Sequence, residues 1–486
     1  MFSGDLELNG KFHYCISWLK TRTPFNPKSE YMKKQFFMIA LAGCAIVTSC
    51  GKRDTAGTLD MPQDKPSTRI DFTITDGVTG YAIPEAAITV KAPDGKESLL
   101  KAGKNGTVSF LAVNGKFTFT VGGQGYNPLQ TYFSTGEEDV IRAGIDLDPV
   151  NVATAAAART TGKDMVTVSG YLSDAAEHAP LADVELNLGA YSARTDARGF
   201  FSVSIPAAAD EVNPEAKPAT IAISAVRPGY VTHVLKNFYL VPGAYTFKIA
   251  MRTTGSSVNG RAGNEDVEYL RQGLFDRTAG ESLERDAAAV AAESMTGTLA
   301  KAAALSLPAS IRVGLSCSCL SCSSVKVMSL EAYTESGLDN EWISSWKAAS
   351  LQAGAVAYRS YGAWHVQHPI RSNYDISSTP CSQAWGSETA SSTINAARAT
   401  AGVYLAKSGA IFRSEYSAEN NNAGCGNGYS GTGSSWPCIS DARCAGRATN
   451  GHGRGMCQWG SSFWASDKDY RWILNHYYNP GGVTVQ

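Results

Sequence analysis

Residues 353–361 read AGAVAYRSY, a run of small side chains that carries two tyrosines and one arginine. Alanine-rich stretches favour helix. Four residues at positions i, i+4, i+7 and i+11 then share one face of that helix: Leu351, Ala355, Tyr358 and Gly362. The small side chains predict a helix that is buried closely against other backbone. Ser344 or Ser345, both good N-cap residues, marks its expected start.

One carboxylate lies shortly before this helix. Glu341 is followed by Trp342, and seven residues separate it from the segment LEAY at 330–333. Just before a helix N-terminus, the helix dipole favours the charged form of a carboxylate. Acid chemistry at Glu341 would therefore require apolar cover that keeps the carboxyl protonated, and Trp342 and Trp346 are the candidates for that cover.

Two more motifs follow later in the chain, GHGRGMCQWG at residues 451–460 and ILNHYY at residues 473–478. In their order and spacing, these segments resemble the SpoIID/LytB domain, which occurs in stage II sporulation protein D and in amidase-enhancer proteins. The resemblance covers roughly residues 307–485. It implies an α+β SpoIID-like domain at residues 307–486 whose partners are peptidoglycan glycan strands.

The resemblance also implies a reaction in which Glu341 is the catalytic residue. As an acid, Glu341 would protonate the β-1,4 oxygen between N-acetylmuramic acid (MurNAc) and N-acetylglucosamine (GlcNAc). As a base, it would then take a proton from the 6-hydroxyl of the same sugar, which leaves a 1,6-anhydro end. One carboxylate suffices because it returns to its starting protonation state, unlike the carboxylate pair of most glycosidases. The alternative is a non-catalytic glycan-binding protein, or an enhancer that stimulates a cell-wall amidase.

Eight residues match family positions at which substrate contacts are expected: Arg359, Gln383, Tyr416, Ser417, His452, Gly453, Gly455 and Gln458. Several have a structural alternative. Arg359 suits a buried ion pair equally well, with Glu331, Asp375 or Glu341 as its partner, and Gln383 could satisfy backbone groups instead of a sugar. The glycines of the 451–460 loop permit positive φ and close approach to a ligand, but the loop could also be a tight structural turn.

Two departures from the family pattern bear on the site. Some family members bind zinc through His and Cys in the region that matches residues 374–383, where this chain keeps only Cys381, so we expect no metal and no cofactor. The family's Ser-Gly-Gly is replaced here by a segment that starts at Tyr416 and continues as a cysteine-containing insertion to Cys444. That segment borders the cleft in the family, so the substrate preference is left open.

The cysteines indicate an exported protein. Of the 11 cysteines in the chain, three belong to the leader and the anchor at Cys50, and the other eight all lie between Cys317 and Cys457. An even number of cysteines in an exported protein favours disulfides. The competing interpretation is a zinc site at the cluster Cys317-x-Cys319-x-x-Cys322, although no second pair with the usual spacing follows it. Sequence does not choose among the possible pairings.

The N-terminal part of the chain has the pattern of a lipoprotein signal. We expect residues 1–49 to be a leader whose true start is Met32, because Met32-Lys33-Lys34 is followed by an apolar run over residues 36–47. Small residues before Cys50 resemble a lipobox, which makes Cys50 the expected site of acylation. The protein is then lipid-anchored in the cell envelope, facing the periplasm or the cell surface. An ordinary cleaved signal peptide with a chance cysteine is the alternative.

The middle of the chain contains two β modules. Alternating apolar and polar residues with turn signals predict short strands, and we expect β-sandwiches at residues 68–150 and 164–253 after a polar tether at 50–67. The second module, with the string PLADVELNL, resembles the carboxypeptidase regulatory-like domain. We interpret both modules as spacers. Residues 264–305 are rich in Ala, Leu, Glu and Arg and predict a helical connector.

Length and charge bound the remaining possibilities. A chain of 486 residues suggests about three domains, so the expected fold is multidomain, with two all-β modules, the helical connector and the α+β domain. The net charge is −1 and lysines and arginines form no runs. Charge therefore gives no reason to expect a nucleic-acid partner.

Overall fold

A computed structural model describes residues 67–150, 164–207, 219–255, 306–386, 389–419, 441–444 and 454–486. The expected leader with Cys50, the tether as far as residue 66, and the connector at 264–305 lie outside the described residues, as do His452 and Gly453. Residues 56–486 belong to one compact unit. None of the helices in the described ranges is long and apolar enough to span a membrane.

The first module consists of seven strands in two facing layers, with the alternation that its sequence predicts. In β1, for example, the buried positions alternate with exposed or half-buried ones along most of the strand. The aromatic core between the layers includes Phe72, Phe119 and Phe133. The strands are β1 (Ser67–Asp76), β2 (Ala87–Lys91), β3 (Glu97–Lys101), β4 (Thr107–Val113), β5 (Gly115–Gly122), β6 (Leu129–Thr135) and β7 (Val140–Leu147).

In its described residues, 164–207 and 219–255, the second module has seven strands around its own apolar core. They are β8 (Met165–Asp174), β9 (Glu185–Leu188), β10 (Tyr191–Arg194), β11 (Phe200–Pro206), β12 (Thr220–Val226), β13 (His233–Tyr239) and β14 (Gly243–Met251).

The two modules match strand for strand. One layer has the order β3-β2-β5-β6 in the first module and β10-β9-β12-β13 in the second. In the other layer, the first strand lies between an antiparallel neighbour and a parallel one: β1 between β4 and β7, and β8 between β11 and β14. The two modules predicted from the sequence therefore have the same strand topology.

The C-terminal region is mixed α and β. Its strands are β15 (Ser310–Ser318), β16 (Ser321–Ser329), β17 (Ile376–Ser377), β18 (Thr389–Ala390), β19 (Leu405–Lys407), β20 (Ala410–Ile411), β21 (Tyr416–Ser417), β22 (Met456–Cys457) and β23 (Thr484–Val485). Its α-helices are α1 (Leu330–Gly337), α2 (Ala348–Gln367), α3 (Ser391–Ala399), α4 (Gln458–Trp464) and α5 (Tyr470–Tyr478). Single 3₁₀ turns lie at Leu338–Asn340, Ala442–Cys444 and Asn479–Gly481.

Both modules are joined to this region by shared sheets. Strand β7 pairs with β16 in a six-stranded sheet of order β17-β15-β16-β7-β1-β4, and β14 pairs with β18. Each module thus uses the edge formed by its last strand, which would otherwise present unpaired backbone groups. The modules are structural parts of the C-terminal region's sheets, which goes beyond the role of spacer expected from the sequence.

A buried cluster of three charges lies where the three parts meet. Asp146 of β7 is 5% exposed, and its carboxylate is 2.6 Å from Lys326 Nζ of β16 and 3.9 Å from Lys248 Nζ of β14. Thr75 also donates a hydrogen bond to it, at 2.5 Å. Burial alone would raise the pKa of Asp146, but the two lysine charges outweigh burial, and the pKa lies below its usual value. The charged cluster therefore fixes all three parts at one point.

Replacing Asp146 with Asn should lower the free energy of unfolding by about 3 kcal/mol at neutral pH, because Lys326 loses the carboxylate charge 2.6 Å away and Lys248 loses the one 3.9 Å away. Since the pKa of this carboxylate is lowered on folding, its stabilisation is present above the unfolded pKa of about 3.9 and disappears as the pH falls through the folded value. The difference between wild type and Asp146→Asn should shrink accordingly in acid. Urea unfolding at several pH values measures it.

The matched control is Glu185→Gln. Glu185 pairs with Arg194 at 3.0 Å, but the two side chains are 44% and 63% exposed. Exposed pairs contribute little, so this control should cost less than about 1 kcal/mol. Equal costs for the two substitutions would contradict the role assigned to Asp146.

Candidate active site

Glu341 lies at the end of the 3₁₀ turn Leu338–Asn340 and is half-buried. Helix α2 begins only at Ala348, with Lys347 as its N-cap, so the expected start at Ser344 or Ser345 is wrong. The hydroxyl of Ser344 lies 2.9 Å from the Tyr245 hydroxyl of β14 and therefore serves the contact between modules, not the helix. Because a helix dipole acts only within its first turn, it does not govern the charge of Glu341.

The carboxyl group of Glu341 is oriented by backbone. The Ala384 N–H donates to Glu341 Oε1 at 2.8 Å, and the carbonyl of the same Ala384 accepts a hydrogen bond from the Tyr358 hydroxyl at 2.7 Å. Helix α2 thus positions the donor that orients the carboxyl. The main-chain carbonyl of Glu341 accepts a further bond from Gln458 Nε2 at 2.5 Å. Both the side chain and the backbone of this residue are held.

Gln383 links two tyrosines beside the carboxyl. Its Oε1 accepts from the Tyr333 hydroxyl at 2.6 Å, and its Nε2 donates to the Tyr416 hydroxyl at 2.8 Å. Gln383 is 1% exposed. Its amide therefore serves the tyrosine network, a role closer to the structural alternative, although its partners are side chains and not only backbone.

Three tyrosines around Glu341 remain protonated. Burial raises the pKa of Tyr333, Tyr358 and Tyr416 well above the usual value, and the nearby Glu341 charge raises each of them further. A protonated phenol has one proton to donate; Tyr333 gives its proton to Gln383 and Tyr358 gives its proton to the Ala384 carbonyl. The site thus combines one carboxyl with neutral hydroxyl groups.

Trp342, the residue after Glu341, packs against helix α2. Trp342 is fully buried, its ring centroid is 4.7 Å from that of Tyr416, and its indole N–H donates to Ser461 Oγ at 3.4 Å. Gly354 provides the space, since a Cβ there would lie 2.5 Å from the indole ring. The small residues of α2 therefore receive aromatic rings, whereas the sequence led us to expect backbone. Trp346 packs on Trp459 at 4.9 Å.

The described part of the GHGRGMCQWG motif, residues 454–460, pairs with the strand that carries Tyr416. Strands β21 and β22 pair in parallel, which brings Ser417 opposite Cys457 and leads directly into Gln458. Gly455 has φ +69°, as expected for a glycine of this loop, and a side chain there would collide with the Glu415 carbonyl. Ser417 is 5% exposed. The fold thus brings Tyr416 and Gln458 to Glu341 and places Ser417 in the adjoining strand pair.

Arg359 forms a buried ion pair, which was the structural alternative to a substrate contact. Its side chain is 0% exposed and forms a salt bridge at 2.8 Å with Glu331, which is 38% exposed. The guanidinium also donates to the carbonyls of Ala397 and Val403, at 2.9 and 3.2 Å. Of the three partners left open by the sequence, Glu331 is the one observed. Asp375 pairs instead with Arg312, at 2.5 Å.

Two disulfides involve the β15–β16 hairpin at the start of the C-terminal region. Cys317 bonds Cys322 across the β15–β16 hairpin, and Cys319 bonds Cys381, two residues before Gln383. The cluster that could have been a zinc site is therefore disulfide-bonded. Within the described ranges, no group of three or more His, Cys, Asp or Glu side chains is placed to hold a metal.

Sequence reasoning did not assign three of the groups that position Glu341. Ala384 acts through its backbone, which no side-chain pattern reveals. Tyr333 and Tyr358 belong to the segments LEAY and AGAVAYRSY. Their hydroxyls, next to small side chains, were the feature of the sequence that could have pointed to a role at the site.

In a comparison with known families, the SpoIID family model, described as Stage II sporulation protein, matches residues 320–406. The match includes Glu341, Arg359 and Gln383 and ends before the Gly-His-Gly motif. A search of curated proteins finds no match.

Similar solved structures include the TIE protein of Bacillus anthracis, at 15% identity and TM-score 0.16, covering 39% of this chain and 34% of that one. This chain thus spans about a third of that protein. BcpA, the major pilin subunit of Bacillus cereus, aligns over 39% of this chain and 100% of its own at 10% identity and TM-score 0.15. The shaft pilin SpaA of Lactobacillus rhamnosus GG aligns over 39% of this chain and 99% of its own, at 10% identity and TM-score 0.14. TM-scores this low do not establish a shared fold, and no function follows from them.

Replacing Gly354 with Ala should destabilise the protein by about 1–3 kcal/mol, because the added methyl overlaps the indole of Trp342 in a packed core. Chemical denaturation measures the change.

The control is Gly122→Ala in β5, where an added Cβ meets nothing within 4 Å. It should change the stability by less than about 0.5 kcal/mol. If Gly354→Ala is as mild as this control, the close packing of Trp342 on α2 is not needed for stability.

Proposed function

We propose that this protein is a lytic transglycosylase that cleaves the MurNAc–GlcNAc β-1,4 bond of peptidoglycan glycan strands. The observation that carries the proposal is the Glu341 carboxyl, half-buried and oriented by the Ala384 N–H at 2.8 Å within a set of protonated tyrosines. The family match over residues 320–406 supports it, because this segment contains Glu341.

The reaction needs one group that first gives a proton and then takes one back. Protonated Glu341 donates to the glycosidic oxygen, and the bond from that oxygen to C1 of MurNAc breaks as positive charge develops at C1. The carboxylate then accepts the proton of the MurNAc 6-hydroxyl, whose oxygen forms the new bond to C1. The products are a free hydroxyl on the leaving GlcNAc and a 1,6-anhydro end, and Glu341 is protonated again.

The surrounding residues are suited to positioning, which is what such a reaction requires of a protein. The bond from Ala384 orients one carboxyl oxygen, and the bond from Gln458 to the main-chain carbonyl fixes the residue itself. The Tyr416 hydroxyl, held by Gln383, is a neutral donor that suits sugar hydroxyls. His452 and Gly453 are proposed as further substrate contacts on the basis of the family resemblance alone.

The glutamate proposal is tested by Glu341→Gln, which keeps the shape of the side chain and removes its acid–base chemistry. Glycan strands with and without stem peptides are incubated with the pure protein, and products are analysed for anhydro-MurNAc ends. We expect the rate of end formation to fall at least about 100-fold, in line with the loss of a general acid–base, while unfolding curves stay close to those of wild type.

The matched control is Glu335→Gln, which removes the same charge from α1. Glu335 pairs with Arg398 at 2.9 Å, with side chains 24% and 50% exposed, and this pair is separate from the contacts that hold Glu341. It should retain wild-type activity. If wild type releases no anhydro ends and yet binds glycan or stimulates a cell-wall amidase equally with and without Glu341, the enzyme proposal fails and the binding alternative replaces it.

We also propose that Cys50 is acylated and that the protein is anchored in the cell envelope by this lipid. The lipobox-like residues before Cys50 support the proposal, and several acyl chains hold a protein on a membrane because each buried methylene contributes about 0.8 kcal/mol.

Metabolic labelling with a fatty-acid probe should mark the wild-type protein and not Cys50→Ser. Cys44→Ser, which changes a cysteine within the apolar run, is the control and should remain labelled. Labelling of Cys50→Ser at the wild-type level would refute acylation at this residue.

A further inference from the structure

Two cysteines beside the candidate site are in contact without being bonded. Cys444 ends the 3₁₀ turn Ala442–Cys444, and Cys457 is the last residue of β22. Both are fully buried thiols, and their sulfur atoms are 3.4 Å apart. Four other cysteines of the same region are already joined in two disulfides. The sequence left the pairing of these two open.

The surroundings hold both sulfurs in place. Asp441, three residues before Cys444, accepts hydrogen bonds from the Tyr477 hydroxyl of α5 and from the Trp464 indole of α4, the latter at 3.0 Å. The turn that carries Cys444 is thereby fixed to two helices. Cys457 Sγ accepts from the Gly460 N–H at 3.2 Å and so caps helix α4.

We propose that Cys444 and Cys457 form a reversible disulfide that ties the turn at 442–444 to the strand–helix junction supplying Gln458 to the site. Cys457 directly precedes Gln458, whose amide donates to the Glu341 carbonyl, and Cys457 lies opposite Ser417 in the β21–β22 pair. A covalent bond at this point restrains the residue that holds Glu341. The inference does not depend on which reaction the site catalyses.

The oxidant is a small or protein disulfide that reacts by thiol–disulfide exchange. The thiolate of one cysteine attacks a sulfur of the oxidant, which releases one thiol and leaves a mixed disulfide. The second cysteine then attacks its neighbour's sulfur and displaces the other half of the oxidant as a thiol. In total, the protein loses two hydrogen atoms and the oxidant gains them. Burial of both sulfurs means that exchange requires local opening of the short turn at 442–444.

Peptide mapping of the full chain tests the bond directly. The protein is equilibrated with oxidised glutathione, alkylated, and digested with trypsin, which cleaves at Arg447 and Arg454 between the two cysteines. We expect two peptides linked through Cys444 and Cys457, in addition to the Cys317–Cys322 and Cys319–Cys381 bonds, and we expect dithiothreitol to release the link. Alkylated Cys444 and Cys457 in a sample with the other two bonds intact, or pairing with other cysteines, would overturn the proposal.

Hydrogen exchange tests the consequence for the site. Oxidised wild type should exchange the backbone amides of residues 458–460 at least about threefold more slowly than reduced wild type, because the bond suppresses local opening. Cys444→Ser, which keeps the cap from Cys457, should show no difference between oxidised and reduced samples. Equal exchange in oxidised and reduced wild type would refute the restraint on Gln458, whatever the outcome of the activity assays.

Discussion

The buried carboxylate of Asp146 is the contact on which the arrangement of the described parts depends. It belongs to the first β module, and it pairs with one lysine from the second module and one from the C-terminal region. An ion buried at this depth is tolerated only with close partners of opposite charge. Because those partners come from three parts of the chain, the cluster acts together with the β7–β16 and β14–β18 pairings to define one arrangement of the modules.

This arrangement of the modules also holds the segments around Glu341 in place. Ser344, just after Glu341, is bound by Tyr245 of the second module, and Gln383 lies two residues from a disulfide that anchors its loop to the β15–β16 hairpin. The long helix α2 then places Tyr358 against Ala384, whose N–H orients Glu341. Each of these contacts joins segments far apart in sequence. The geometry of Glu341 is therefore a property of the whole unit, not of its own loop.

The local features were predictable from sequence, and the contacts between distant segments were not. Alternation predicted the strands of both modules, and the stripe from Leu351 to Gly362 predicted a buried helix correctly, because these signals depend on neighbours in the chain. The start of that helix was wrong, since the hydroxyl of Ser344 is used by a tyrosine about a hundred residues earlier. The partner of Arg359 could be narrowed to three carboxylates but not chosen. Ala384 contributes only backbone, which leaves no trace in a side-chain pattern.

The repeated topology of the two modules has a consequence for how this protein can be divided. Strands β7 and β14 are equivalent, and each ends its module with an edge that a strand of the C-terminal region completes. A fragment that began after the second module would leave residues 325–327 of β16 without their strand partner, and an open strand edge is prone to intermolecular pairing. The segment that carries Glu341 therefore depends on both modules to complete its sheets, and transferring it to another protein without them would leave two strand edges open.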